Sequence, residues 1–479
     1  MILRPLLIVS IWMLFYAHAI PVHQYSNIQN VLLNTLPMFI PSISNNTNPA
    51  TADVINNLLR FPSVLIELWD RFVEGNLENL QTANQVLNAF IQAIGYIIPA
   101  PTSVAQIIGT VATVTSTTMD LTRPNIYEYA ARLLIGGINP TTIRNSVEAL
   151  TTFNSMTNKN LPLSNVIKTG DPKFSVKETV LRAAIYIPST FVTLNALNIS
   201  AIVMVPGTAV PGGQTWAVGY AKKFIQDKIA NPVWLNIPSN TLQDAQISAE
   251  YVAYAINYIS QYTGGRNVSV IAFSQGNLNT QWALKYFPST RKVVSDYIGI
   301  SPDYRGTVLA QVLCPGFPRR PCPPSILQQF DNSMFVRKLR QNGGDSEIVP
   351  TTTIYSASDQ IVQPQSGPNA SGFLFNASNN LIQELCPLQP AGLIYTHEGL
   401  LYNALGYALA VDAITHSGHA DRNRMLANNP NICLLLTASG LTVNDVLTLE
   451  SVAITAALNI GTYFPKQFNE PSIKGYATY

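Results

Sequence analysis

Val268-Ser269-Val270-Ile271-Ala272-Phe273-Ser274-Gln275-Gly276 is a short, apolar, β-branched run that stops abruptly at Ser-Gln-Gly. The segment that follows, Asn277 to Phe287, is compatible with a helix. A strand, a sharp turn with serine at its apex and then a helix is the layout of a nucleophile elbow. Such a turn is strained, and the residues two before and two after the serine must be small to let the chains pass. Here they are Ala272 and Gly276, so the pattern is A-x-S-x-G rather than the commoner G-x-S-x-G. Five residues with one relaxed position do not make a nucleophile, because a buried strand ending in a polar turn reads the same way. The decision rests on whether the chain also supplies a base, an acid and oxyanion donors in a workable order.

Outward from this stretch the chain alternates strand and helix. Ala201 to Val205 is a fully apolar strand ending in Pro206-Gly207-Thr208-Ala209, and Val233 to Pro238 is a second strand. Gln246 to Tyr262 reads as a long helix with Val252, Ala255, Ile256 and Ile259 on one face. Asp296 to Ile300 and Thr351 to Ser356 are further strands, and Val443 to Asn459 reads as a helix. Continuous apolar strands separated by helices imply an α/β fold with a mostly parallel central sheet flanked by helices. In such sheets the chemistry sits at the carboxyl ends of the strands.

A serine nucleophile needs a base, and the base needs an orienting carboxylate. In α/β-hydrolases these follow the serine in the order acid, then histidine. The chain has five histidines. His18 and His23 precede the serine by a long way, which leaves His397, His416 and His419. His397 ends the apolar run Ala391 to Thr396, at a strand end or in the loop beyond, and is the expected base. His416 and His419 lie in a polar Thr-His-Ser-Gly-His-Ala-Asp loop. Asp359 follows a strand and lies between Ser274 and His397, as the order requires. Asp303, in Ser301-Pro302-Asp303-Tyr304, is its competitor. It is expected beside the nucleophile, where it orients the site or, if protonated, donates to a substrate carbonyl. The oxyanion donors are expected at the backbone N–H of Gln275 and at Thr208, the latter offering an N–H and a hydroxyl after Gly207.

Composition sets the remaining bounds. The 479 residues are 47% hydrophobic and only 11% charged, which permits a large core and argues against disorder and against nucleic-acid binding. A net charge of +2 gives no steering argument. Arg4, the apolar Leu6 to Tyr16 and Ala17-His18-Ala19 read as a signal peptide over residues 1–19, cut before Ile20. No later stretch reads as a membrane anchor, so a secreted, soluble protein is expected. Four cysteines agree with that compartment and allow three pairings. The short, proline-rich spacing of Cys314 and Cys322 suggests a local staple, leaving Cys386 with Cys433. The spacing does not suit zinc, and no metal or organic cofactor is expected. Sequons stand at Asn45, Asn198, Asn267, Asn369 and Asn376. Asn267 lies just before the strand leading to Ser274, at the far end of the sheet from the serine.

The organisation expected from these patterns begins with an extended lead-in at 20–50. A helical N-terminal region at 51–157 follows, then a polar linker at 158–172 and a catalytic domain at 173–479. The helical region carries apolar residues at i, i+3, i+4 spacing, as in Val64, Leu65, Leu68, Trp69, Phe72 and Val73. It is read as a cap or pro-region over an apolar site, with an ordinary helical subdomain as the alternative.

Several segments match one family pattern. They are Val205-Pro206-Gly207-Thr208, Phe273-Ser274-Gln275-Gly276 and Ser301-Pro302-Asp303-Tyr304-Arg305-Gly306-Thr307-Val308-Leu309-Ala310. Ile348-Val349-Pro350-Thr351-Thr352 matches too, running on to Asp359 and Ile361-Val362-Gln363-Pro364-Gln365. From about Leu181 onward the chain resembles fungal lipases of the Candida antarctica lipase B type, α/β-hydrolases acting on carboxylic esters. The resemblance implies Ser274 as nucleophile, Asp359 as acid, His397 as base, Thr208 and Gln275 as oxyanion donors, and a Cys386–Cys433 bridge. There are departures. Phe273 stands in place of the family's tryptophan, so the pocket that sets alcohol selectivity is expected to differ. Val233 replaces one family cysteine, the short C-terminal tail lacks another, and Cys314–Cys322 lies in an insertion. The expected function is a secreted serine esterase or lipase acting on an ester or lipid substrate, including one presented at a lipid–water interface. A polyester or cutin hydrolase, an acyltransferase, and a non-catalytic binding protein on the same scaffold are the alternatives.

Overall fold

Along the strand that leads to Ser274, successive side chains enter opposite cores. Val268, Val270 and Ala272 join one apolar cluster, and Ile271 and Phe273 join the other. The whole strand is buried, as a central strand covered on both faces must be. A computed structural model describes residues 100–118, 125–138, 154–191, 199–416 and 418–478. The signal segment, the lead-in, residues 51–99 and 139–153, and the sequons Asn45 and Asn198 lie outside the described residues.

Seven strands form one sheet in the order β1-β3-β2-β4-β5-β6-β7. They are β1 (Ile185–Tyr186), β2 (Ala201–Val205), β3 (Asn231–Leu235), β4 (Val268–Phe273), β5 (Val294–Ile300), β6 (Thr351–Tyr355) and β7 (Ser378–Leu381). β1 is antiparallel to β3, and every other pairing is parallel. This is the mostly parallel sheet of an α/β-hydrolase fold. Two strands escaped the sequence reading. β1 has only two residues, and β7 is Ser-Asn-Asn-Leu, too polar to signal a strand. The apolar run before His397 forms no strand. Pro390–Gly392 is a 3-10 turn, and Leu393 and Ile394 are exposed. The backbone of Tyr395 is bonded to the hydroxyls of Ser356 and Ser358.

The helices that matter here are α1 (Val104–Thr118), α2 (Ile126–Ile135), α3 (Ala245–Tyr262), α4 (Gln275–Tyr286), α5 (Ala404–Thr415), α6 (Val443–Glu450) and α7 (Val452–Thr462). α3 and α4 cover the Val270 face, and α5 to α7 cover the Ile271 face. The single helix expected at Val443–Asn459 is two, broken at Ser451, whose hydroxyl donates to the Thr448 carbonyl. Val443–Thr462 together have the length and apolarity of a membrane span, but 72% of their most apolar stretch is buried inside the protein, as in a core helix.

α1 and α2 pack on α6 and α7. Ile107, Val111, Tyr129, Leu133 and Leu134 share one core with Leu447, Leu449, Ile454 and Ile460. Residues 158–172 also lie against the sheet domain. Asn158 and Asn160 donate to the carbonyls of Ala183, Arg182 and Ile185, and Asp171 accepts from Ser289.

Candidate active site

Ser274 stands between β4 and α4 at φ 54°, ψ −131°. A positive φ is costly for a residue with a Cβ and persists only where the surroundings enforce it. Here they do. The Ser274 N–H donates to the Ile300 carbonyl at 3.0 Å, and the Asn277 amide donates to the carbonyls of Ser274 and Ile300. Tyr297 donates to Asn277 Oδ1 at 2.6 Å, which fixes that amide. At Gly276 a Cβ would lie 2.7 Å from the Pro206 carbonyl oxygen, so only glycine lets α4 approach β2 this closely. Ala272 is fully buried, in register with Val205 and Gly299. The serine is 4% exposed.

The Gly207–Thr208 turn leans on the same elbow, and a Cβ on Gly207 would sit 2.8 Å from Ser274 Cβ. Gln275 opens α4, where first-turn N–H groups lack intrahelical acceptors. A side-chain chain ties Thr208 to Gln275. Thr208 Oγ1 donates to Gln329 Oε1 at 2.9 Å, and Gln329 Nε2 donates to Gln275 Oε1 at 3.1 Å. Gln275 Nε2 donates to the Thr241 carbonyl, and Thr241 Oγ1 donates to the Gly207 carbonyl. The Thr208 hydroxyl proton is thus engaged with Gln329 in this arrangement. Gln329 was invisible to sequence reasoning, because it lies 121 positions from Thr208 with no local motif.

His397 opens the 3-10 turn Glu398–Leu401. Its Nδ1 is 2.7 Å from Asp359 Oδ2. The other Asp359 oxygen accepts from the N–H groups of Ile361 and Val362 at 2.9 and 2.7 Å. The His397 backbone is clamped at both ends. Its carbonyl accepts from Ser301 Oγ at 2.8 Å, and its N–H donates to Gln360 Oε1 at 2.7 Å. Nε2 is buried with no protein partner. The ring packs on Phe273, centroids 4.9 Å apart. Ser274 and His397 therefore both hang from the carboxyl end of β5, one through Ile300 and the other through Ser301. Burial works against the imidazolium, but Asp359, Glu398 and Asp303 outweigh it and hold His397 above the ordinary histidine range.

Asp303 is fully buried, and neither carboxyl oxygen has a partner. Burial pushes its carboxyl up to about 7, with His397 opposing the rise. It is not the group bonded to His397 Nδ1. The other two histidines are elsewhere: His419 pairs with Glu347 at 2.6 Å, and His416 lies against Asp412. Cys314–Cys322 and Cys386–Cys433 are both bridged. Asn267, Asn369 and Asn376 are exposed. Among the described residues, no group of three or more His, Cys, Asp or Glu side chains is arranged to hold a metal ion.

The chain has relatives among known proteins. Lipase B of Pseudozyma antarctica is 34% identical over 322 residues, covering 90% of that protein and 66% of this chain. The chain belongs to the lipase B family. It is accordingly a carboxylic ester hydrolase. The crystal structure of Aspergillus fumigatus lipase B superposes with a TM-score of 0.76 at 39% identity, covering 99% of that chain and 86% of this one. No family model matches. The two coverages differ instructively. Residues 173–479 make up less than two thirds of the chain, so a match over 86% of it reaches into the N-terminal region.

Proposed function

We propose that this lipase B family member hydrolyses esters through Ser274, His397 and Asp359 by way of an acyl-enzyme. Ser274 Oγ attacks the ester carbonyl while His397 Nε2 takes its proton. Asp359 keeps Nδ1 protonated and stabilises the imidazolium that forms. The developing oxyanion is received by the Gln275 N–H and by Thr208. His397 then protonates the leaving alcohol, and water, activated by the same imidazole, releases the acid. The observation that carries this reading is the buried 2.7 Å His397–Asp359 contact, with the imidazole packed on Phe273, the neighbour of a strained, nearly buried serine. Asp303, neutral below about pH 7, serves as a donor or a spacer beside the imidazole and not as the triad acid. Phe273 forms part of the pocket wall between Gly207 and His397.

The reading includes secretion, supported by the Ala17-His18-Ala19 segment and the two bridges. α1 and α2 act in it as a fixed wall of the domain, since their apolar faces share its core. Rapid-mixing hydrolysis of a p-nitrophenyl ester tests the mechanism. A burst of one equivalent of nitrophenol followed by slower turnover is expected, and its loss in Ser274→Ala. A full burst in that variant refutes the assignment. A series of soluble esters, emulsified oil and a polyester film then separates lipolysis from polyester hydrolysis.

A further inference from the structure

Next to His397 in the chain begins a buried acidic pair that the mechanism does not use. Glu398 is the residue after the histidine and is nearly fully buried, and Glu450 at the end of α6 is fully buried. Glu398 Oε1 accepts from the Tyr129 hydroxyl at 2.8 Å, and Tyr129 belongs to α2. Glu398 Oε2 accepts from Gln360 Nε2 at 2.8 Å. Gln360 Oε1 in turn accepts the His397 N–H, and Gln360 directly follows Asp359. Glu450 Oε1 accepts from Tyr402, and its other oxygen has no donor. The 3-10 turn Glu398–Leu401 packs against α6, and the Glu450 carboxyl is close enough to feel the Glu398 charge.

We propose that Tyr129, Glu398 and Gln360 form a positioning chain through which the N-terminal helices hold the base His397, with Glu450 sharing one proton with Glu398. The inference rests on the Ser274–His397–Asp359 reading above. Its physical basis is that two neighbouring carboxylates buried out of water resist both being ionised. One proton between them makes Glu450 the donor and leaves Glu398 the acceptor for Tyr129 and Gln360. Burial raises both carboxyls, Glu450 the more strongly with the Glu398 charge beside it. The titratable groups facing the pair are Tyr129 from α2, Tyr402 and Tyr395 from the segments before α5, and His397 with Asp303 behind it. When the pair loses its shared proton at alkaline pH, like-charge repulsion separates the carboxyls and loosens the hold on Gln360. The Glu398 charge also helps keep His397 protonatable. A weakened Tyr129 contact therefore shifts the histidine towards lower pH.

The test is the rate of inactivation of the full chain by a phosphonate ester, followed from acid to alkaline pH together with kcat, KM and Tm. For Tyr129→Phe we expect kcat to fall on the order of tenfold, the loss expected for a hydrogen bond to a charged group. KM should change little, and the acid limb of the inactivation profile should move to lower pH. Glu450→Gln is neutral at every pH and close in shape. Its alkaline limb should extend to higher pH than the parent's. A lower Tm in Tyr129→Phe with unchanged kcat and acid limb would show a merely structural contact and overturn the proposal. An unchanged alkaline limb in Glu450→Gln would do so independently, even if Tyr129→Phe failed to fold. A parent protein that resists the phosphonate altogether would instead sink the serine mechanism itself.

Discussion

Ser274 is held where the chain itself bends, by neighbours in β4, β5 and α4. His397, by contrast, is held by side chains scattered over the sequence: Ser301, Asp359, Gln360 and, through Glu398, Tyr129. One half of the site is a property of local backbone geometry, in which a strand must turn sharply into a helix past β2. The other half is a property of tertiary structure, assembled from loops with little regular hydrogen bonding of their own. The difference teaches where each half is vulnerable. Changes to the Ser274 half should disturb the fold, because the elbow lies in the core of the sheet. Changes to the His397 half should disturb catalysis while leaving the sheet intact.

Three substitutions sharpen or break that contrast. Asp359→Asn should have the largest effect: on the proposed mechanism kcat falls on the order of 10⁴-fold, the loss this change causes in a serine triad. Its Tm should fall only modestly, because the Ile361 and Val362 N–H groups still find an acceptor. Steady-state kinetics beside calorimetry would check this, and a collapse of the fold would contradict the contrast. Gly276→Ala tests the other half. Its Cβ meets the Val205 and Pro206 carbonyl oxygens at 2.8 and 2.7 Å, an overpacking that destabilises by about 1–3 kcal/mol. Tm and activity should drop together here.

The smallest effect concerns Asp303, and its sign follows from its buried carboxyl. With a folded value near 7 and an ordinary one of about 3.9, the folded state holds a proton that the unfolded chain releases. The stability from this group is full below about pH 4 and is lost as pH rises through 7. Asp303→Asn removes that dependence. Melting curves should show the variant gaining on the parent as pH rises from 4 to 8, and a gap that stays constant with pH would refute the assignment.

The same contrast explains what the sequence revealed. The elbow, the β2 turn and the pairing of Asp359 with His397 were legible because each depends on residues close in the chain, or on the scarcity of histidine. The core strands were legible because burial on both faces leaves a continuous apolar run. β7 was not, because Asn379 and Asn380 replace that run with side-chain amides bonded to local carbonyls and to that of Thr353 on β6. Gln329 and Glu398 were not, because polar side chains that meet across more than a hundred positions leave no periodicity to read. Tyr129 meets Glu398 across 269 positions. From the sequence it was one more aromatic residue on an amphipathic helix.

The central claim is that Ser274 is the nucleophile of an ester hydrolase. It is tested most directly by mapping a phosphonate adduct by peptide mass spectrometry. The account predicts one adduct per chain, on the peptide carrying Ala272-Phe273-Ser274-Gln275-Gly276, absent from folded Ser274→Ala. An adduct on another residue, or one that persists in that variant, would contradict it.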